Sequence, residues 1–169
     1  AVYGHGLLGT RNEVGAGNVD LMGNEHNVMF CAVDWIGMST PDAGNVVAIL
    51  NNLSRFHTLA DRVQQGILNT LFLARAIRHE DGFGSHAAFR DEAEQPLVAA
   101  GDVFYDGNSQ GGIIGGAATA VSTEWTRAVL GVTGMNYSLL LRRSSNWGTF
   151  ENFLAAAYPN RLDQTIGLS

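Results

Sequence analysis

The chain has 169 residues, of which 46% are hydrophobic and 15% charged, a balance that supports one domain with a sizeable core and excludes a disordered chain. A net charge of −6, with no basic cluster longer than Arg142-Arg143, argues against nucleic acid as a partner. The single cysteine, Cys31, excludes an internal disulfide, and no apolar run reaches the roughly 18 residues of a membrane span.

Residues 1–5 read as a short apolar strand that runs into the turn His5-Gly6-Leu7-Leu8-Gly9. Residues 10–24 are glycine-rich, with at most a short helix. Asn27 to Val33 is a continuous apolar run, expected as a parallel strand buried on both faces. Cys31, inside it, is expected as a buried structural thiol. Asp34 follows at the strand end and has two readings, a catalytic acid or a loop-capping carboxylate; capping is the simpler. Pro41 to Ser54 is expected as loop with one helical turn.

The clearest helix spans about Thr58 to Arg78, where Leu59, Val63, Ile67, Leu71 and Ala74 fall on one face. His57, just before it, reads as an N-terminal polar residue. Residues 79–101 are polar and irregular. His79, Glu80, Asp81 and His86 fall in this stretch without firm ligand spacing, so solvated loop is expected and no metal site.

Asp102 to Gly116 is the segment that organises the chain. An apolar strand runs into Gly107-Asn108-Ser109-Gln110-Gly111, a G-x-S-x-G pattern, followed by the small residues Gly112, Gly115, Gly116, Ala117 and Ala118. A serine at the apex of an abrupt strand-to-helix turn needs neighbours two before and two after that are nearly free of side chain. Such a turn also aims the unpaired N–H groups of the helix start at the serine hydroxyl. Arg127 to Thr133 then reads as another buried strand, a short helix is expected around Leu139–Leu141, and Trp147–Tyr158 as an amphipathic helix serving as lid or packing element. The element order is an α/β pattern with a parallel sheet.

The His-Gly turn and the serine turn, in this order, resemble the α/β-hydrolase superfamily and within it the bacterial lipases and esterases. The resemblance implies a serine hydrolase that cleaves carboxylic esters through an acyl-enzyme on Ser109. It makes the backbone N–H groups of Leu7 and Gln110 the oxyanion hole, His5 and Gly6 the support of that loop, and Gly107 and Gly111 the glycines of the turn. It implies no cofactor and leaves the setting open while favouring a secreted or periplasmic one; the apolar residues around both motifs point to an ester with an apolar acyl group. The resemblance also implies that residues 1–169 form the central part of the domain, strands three to six, in the spatial order 4-3-5-6.

All five histidines, His5, His26, His57, His79 and His86, precede Ser109. In the hydrolase order the acid and then the histidine follow the serine. His5 is expected to order the oxyanion loop rather than act as base. Glu151 and Asp163 read as surface carboxylates. The triad histidine and acid are therefore expected from a companion chain or a segment beyond these residues. The alternative is a hydrolase-like domain without activity, kept for binding or assembly. A nucleotide-binding loop is excluded by the absence of G-x-G-x-x-G and of G-x-x-x-x-G-K-[ST] between Gly107 and Gly116.

Overall fold

The computed structural model describes residues 1–98 and 101–169; of the stretch 79–101, Ala99 and Ala100 lie outside the described residues. Three parallel strands, β1 (Val2–Gly4), β2 (Val103–Asn108) and β3 (Trp125–Gly131), form one sheet in the order β1-β2-β3. Val2 pairs with Tyr105, and Asn108 with Gly131, so the carboxyl ends of all three strands lie at the same edge. The protein is an α/β fold with a parallel sheet.

The run expected as a strand at Asn27–Val33 makes a single parallel bridge instead, at Cys31 beside Val2. Two backbone bonds secure it, Cys31 N–H to Ala1 O at 2.9 Å and Tyr3 N–H to Cys31 O at 2.8 Å. The strand it borders is only three residues long, so there is little ladder to extend. Met29 accordingly remains exposed rather than buried on both faces. The sheet, counting the bridge, runs Cys31-β1-β2-β3.

α1 (Gly17–His26) precedes this bridge and ends at Asn27, whose left-handed φ of 50° closes the helix. α2 (Ala43–Asn51) replaces the loop expected at Pro41–Ser54. Pro41 stands inside the preceding 3₁₀ turn, Thr40–Asp42, where a missing N–H costs nothing, and the apolar run Val46-Val47-Ala48-Ile49-Leu50 then propagates. α3 (His57–Arg78) agrees closely with its expected limits. α4 (Gln110–Val121), α5 (Tyr137–Leu141), α6 (Trp147–Ala157) and α7 (Arg161–Leu168) complete the chain, the last of these unforeseen in the sequence.

α3 and α4 cover one face of the sheet. Val2, Val103, Tyr105, Ile114, Ala118, Ala74, Ile77, Trp35 and Trp125 close a single core there. Tyr105 stands between two tryptophans, stacked on Trp125 at 5.5 Å and tilted against Trp35 at 6.4 Å. The strand expected to be buried, now β3, is an edge whose outer face is open: Val129 is 63% exposed. There the Arg127 guanidinium lies over the Phe104 ring at 5.2 Å, its stem covering apolar surface. A second, smaller core joins Leu50 of α2 to Trp147 and Leu154 of α6, so α6 packs directly on α2. No helix among the described residues is long and apolar enough to cross a membrane.

The segment leading from Cys31 into α2 is held by Asp42, which is 2% exposed. Its carboxylate accepts from Gly37 N–H at 2.8 Å, from Ser39 N–H and hydroxyl at 3.1 and 2.6 Å, and from Arg62 Nε of α3 at 2.9 Å. Burial pulls its pKa up, but the bonds from Ser39, Arg62 and the two backbone N–H groups outweigh it, and the carboxyl lies below its ordinary value. The sign follows: the charged form is favoured in the folded chain, so the stabilisation is present above the unfolded carboxylate range and lost as pH falls through the lower, folded value. Asp42→Asn should lower stability near neutral pH by about 1–3 kcal/mol. It should also flatten the fall in stability below about pH 4, as measured by urea unfolding over a pH series.

Candidate active site

β2 passes into α4 through one residue. Ser109 has φ 56° and ψ −120°, a backbone state that residues other than glycine rarely adopt, and Gln110 already begins the helix. Ser109 N–H still bonds to Gly131 O of β3 at 3.0 Å, so the apex is fixed from the strand side. The serine is half-buried at the carboxyl edge of the sheet.

The glycines around the apex are empty because other atoms occupy the space. A Cβ on Gly107 would stand 2.6 Å from Gly111 O, and one on Gly111 would stand 2.0 Å from Gly4 O and 3.0 Å from His5 O. The first turn of α4 therefore rests on the peptide that ends β1. Tyr105 fills the volume below this contact and donates its hydroxyl to Gly111 O at 2.5 Å. Burial, with Asp106 and Tyr3 nearby, holds the phenol far above its usual range, so it remains a donor.

The turn after β1 is held along most of its length. His5 is fully buried, and its Nε2 accepts from Trp35 N–H at 2.8 Å. A backbone N–H can only donate, so Nε2 carries no proton and Nδ1, 2.8 Å from Gly6 O, is the donor to that carbonyl. Glu13 accepts Gly6 N–H at both carboxylate oxygens, at 3.0 and 3.2 Å. Thr40 donates its hydroxyl to Leu8 O at 2.7 Å and its N–H to Gly9 O at 3.0 Å. Leu8 takes a left-handed φ of 49°, and the Leu7 side chain packs against the main core. The N–H groups of Leu7 and Gln110 donate to no described group.

The structure thus brings the start of α4, with Gly111 next to Gln110 and Ser109, against the Gly4–His5 peptide, from which Gly6 and Leu7 continue the turn. It bonds no histidine to the serine: among the described residues no hydrogen bond joins Ser109 Oγ to a ring nitrogen. His57, His79 and His86 instead engage Ser54 O, Asp81 N–H and Ala88 N–H beside them in sequence, and His26 ends α1. Asp34 accepts Arg11 N–H at 2.6 Å and Arg11 Nη1 at 2.8 Å, the loop-capping role. Glu151 lies on α6 and Asp163 in the first turn of α7, neither bonded to Ser109. Among the described residues no group of three or more histidine, cysteine, aspartate or glutamate side chains could hold a metal ion.

Three contributors escape sequence reading. Tyr105 looks like any inward strand residue, although its place two before Gly107 on the same face is a usable signal. Glu13 and Tyr137, whose hydroxyl bonds Gln110 Oε1 at 2.9 Å, carry no motif at all.

Gly111→Val would drive a β-branched side chain into the Gly4 carbonyl, with no flexible atom to yield. It should cost about 3 kcal/mol or more and depress the thermal midpoint by many degrees. Gly44→Val is the control, because a Cβ there meets nothing within 4 Å.

Set against protein-family models, curated proteins and solved structures, the chain matches none of them.

Proposed function

We propose that this chain carries the nucleophile and oxyanion-hole part of a serine hydrolase of the α/β-hydrolase fold, acting on carboxylic esters with an apolar acyl group. The observation that carries the reading is the backbone of Ser109, at φ 56° and ψ −120°, directly above a glycine contact between the α4 start and the His-Gly turn. The parallel order Cys31-β1-β2-β3 supports it further, since it is the strand order expected of the central part of that fold.

In this reading Ser109 Oγ attacks the ester carbonyl carbon, and its proton passes to a histidine outside these residues. The carbonyl oxygen, now negative, accepts from Leu7 and Gln110 N–H, worth roughly 3–4 kcal/mol per donor. Both donors are without another partner among the described residues, and Gly6 N–H is withdrawn from the task by Glu13. The partial positive end of α4 adds to the stabilisation. Collapse releases the alcohol, which takes the proton, and water then cleaves the acyl-Ser109 ester by the same route. His5 serves as loop support, because both its ring nitrogens are already engaged.

A second reading, an inactive domain kept for binding, is favoured by one observation: none of the five histidines bonds Ser109. Fluorophosphonate labelling separates the two. The full protein that contains this chain should be labelled at Ser109 and at no other serine. Ser109→Ala should abolish both labelling and hydrolysis of p-nitrophenyl butyrate without moving the unfolding midpoint. An unlabelled Ser109 in a folded, complete protein would favour the binding domain.

A further inference from the structure

Three consecutive residues of the serine turn are held by the two ends of one connection, Gly131 at the end of β3 and Tyr137 at the start of α5, across the loop 132–136. Asn108 pairs with Gly131 in the ladder, and Ser109 N–H bonds Gly131 O at 3.0 Å. Gln110 Oε1 accepts the hydroxyl of Tyr137 at 2.9 Å, across 27 residues of sequence. Gln110 is only 4% exposed, a buried amide whose oxygen is satisfied by that hydroxyl. Between these anchors Val132 and Asn136 both stand at left-handed φ, 41° and 58°. For a β-branched residue such as Val132 that state is strained, so the loop's conformation is imposed by its two ends.

Resting on the hydrolase reading, we propose that Tyr137 is a positioning residue that fixes Gln110, and through it the backbone N–H offered to the oxyanion. The argument is geometric. An N–H at the first position of a helix has no partner inside the helix, and its direction follows the ψ of the residue before it and the φ of its own residue. Clamping the Gln110 side chain to Tyr137 limits rocking of that residue about the strained serine beside it. Tyr137 is in turn seated against the main core. Burial pushes its phenol up to about 12, against the opposing effect of Gln110, so the donor is retained throughout the working range. Small displacements of an oxyanion donor are felt mainly in the transition state, because the ground-state carbonyl demands less of it.

The test is a double-mutant cycle in the full protein with Tyr137→Phe, Gln110→Met and both together. It reads kcat and KM for p-nitrophenyl butyrate, the fluorophosphonate labelling rate of Ser109, and the unfolding midpoint. Tyr137→Phe should lower kcat and the labelling rate by the same factor, about three- to tenfold, with KM within about twofold. Gln110→Met should show a similar loss, and the double variant should lose no more than either single one. Wild-type kcat and labelling in Tyr137→Phe would overturn the proposal, as would losses that multiply in the double variant. A lowered midpoint with unchanged kcat would reduce the bond to a structural one and overturn it too. Wild-type protein that neither hydrolyses the ester nor labels at Ser109 would overturn the hydrolase reading on which the proposal rests.

Discussion

The contact on which the rest of the arrangement depends is backbone against backbone. The Cα of Gly111 lies so close to the carbonyl of Gly4 that no side chain fits between them. Because of that contact, α4 starts immediately behind the end of β1 rather than a side-chain diameter away. The parallel pairing of β1 and β2 delivers both carboxyl ends to one edge, and the glycine contact closes the remaining gap. Ser109 is left in its unusual backbone state by the same geometry, since the chain must reverse within a single residue between strand and helix. The cost of that state, of order 1–3 kcal/mol, is offset by the ladder to β3 on one side and the buried face of α4 on the other.

Much of this was legible in the sequence, and the reason differs from element to element. The serine turn was visible because sterics allow few residue types at Gly107 and Gly111, so the constraint leaves a mark in composition. α3 was visible because its apolar positions repeat at helical spacing over its 22 residues, long enough for the pattern to exceed chance. The run at Asn27–Val33 misled because an apolar run reports a demand for burial and not the length of the available partner. β1, only three residues long, limits that pairing, and tertiary context overrides local propensity. α2 falls in the stretch Pro41–Ser54, expected as loop with one helical turn; the proline sits in the turn before the helix, where it does no harm.

The candidate site was legible in its backbone and illegible in its side-chain supports. Glycines and the His-Gly turn announce themselves by what they exclude, whereas Glu13 and Tyr137 act through one or two hydrogen bonds made across the fold. Glu13 reaches back to Gly6 and Tyr137 reaches across to Gln110. Nothing in local spacing distinguishes such a glutamate or tyrosine from its neighbours, since the information lies in which segments meet. Asp34 illustrates the converse. Its place after the Cys31 run admits a catalytic role, and only its bonds to Arg11 identify it as the residue that ties the first turn to the loop behind it.

The ring of Tyr105 has a bearing on how the sequence can change. Gly4, Gly107 and Gly115 come from the ends of two strands and the middle of a helix, yet a Cβ at any of them would strike this one side chain, at 2.0, 2.5 and 2.3 Å. The four positions are therefore a single steric unit spread over three segments. A substitution at one glycine is closed off while the tyrosine stands, whatever the local helix or strand preference. A smaller residue at 105 would remove that obstacle at all three, although Trp35 Nε1 would still crowd Gly4 at 3.0 Å and the Gly111 backbone would still bar Gly107. Sequence drift at Gly4 and Gly115 is thus conditional on what stands at 105, a dependence between positions that share neither an element nor a motif.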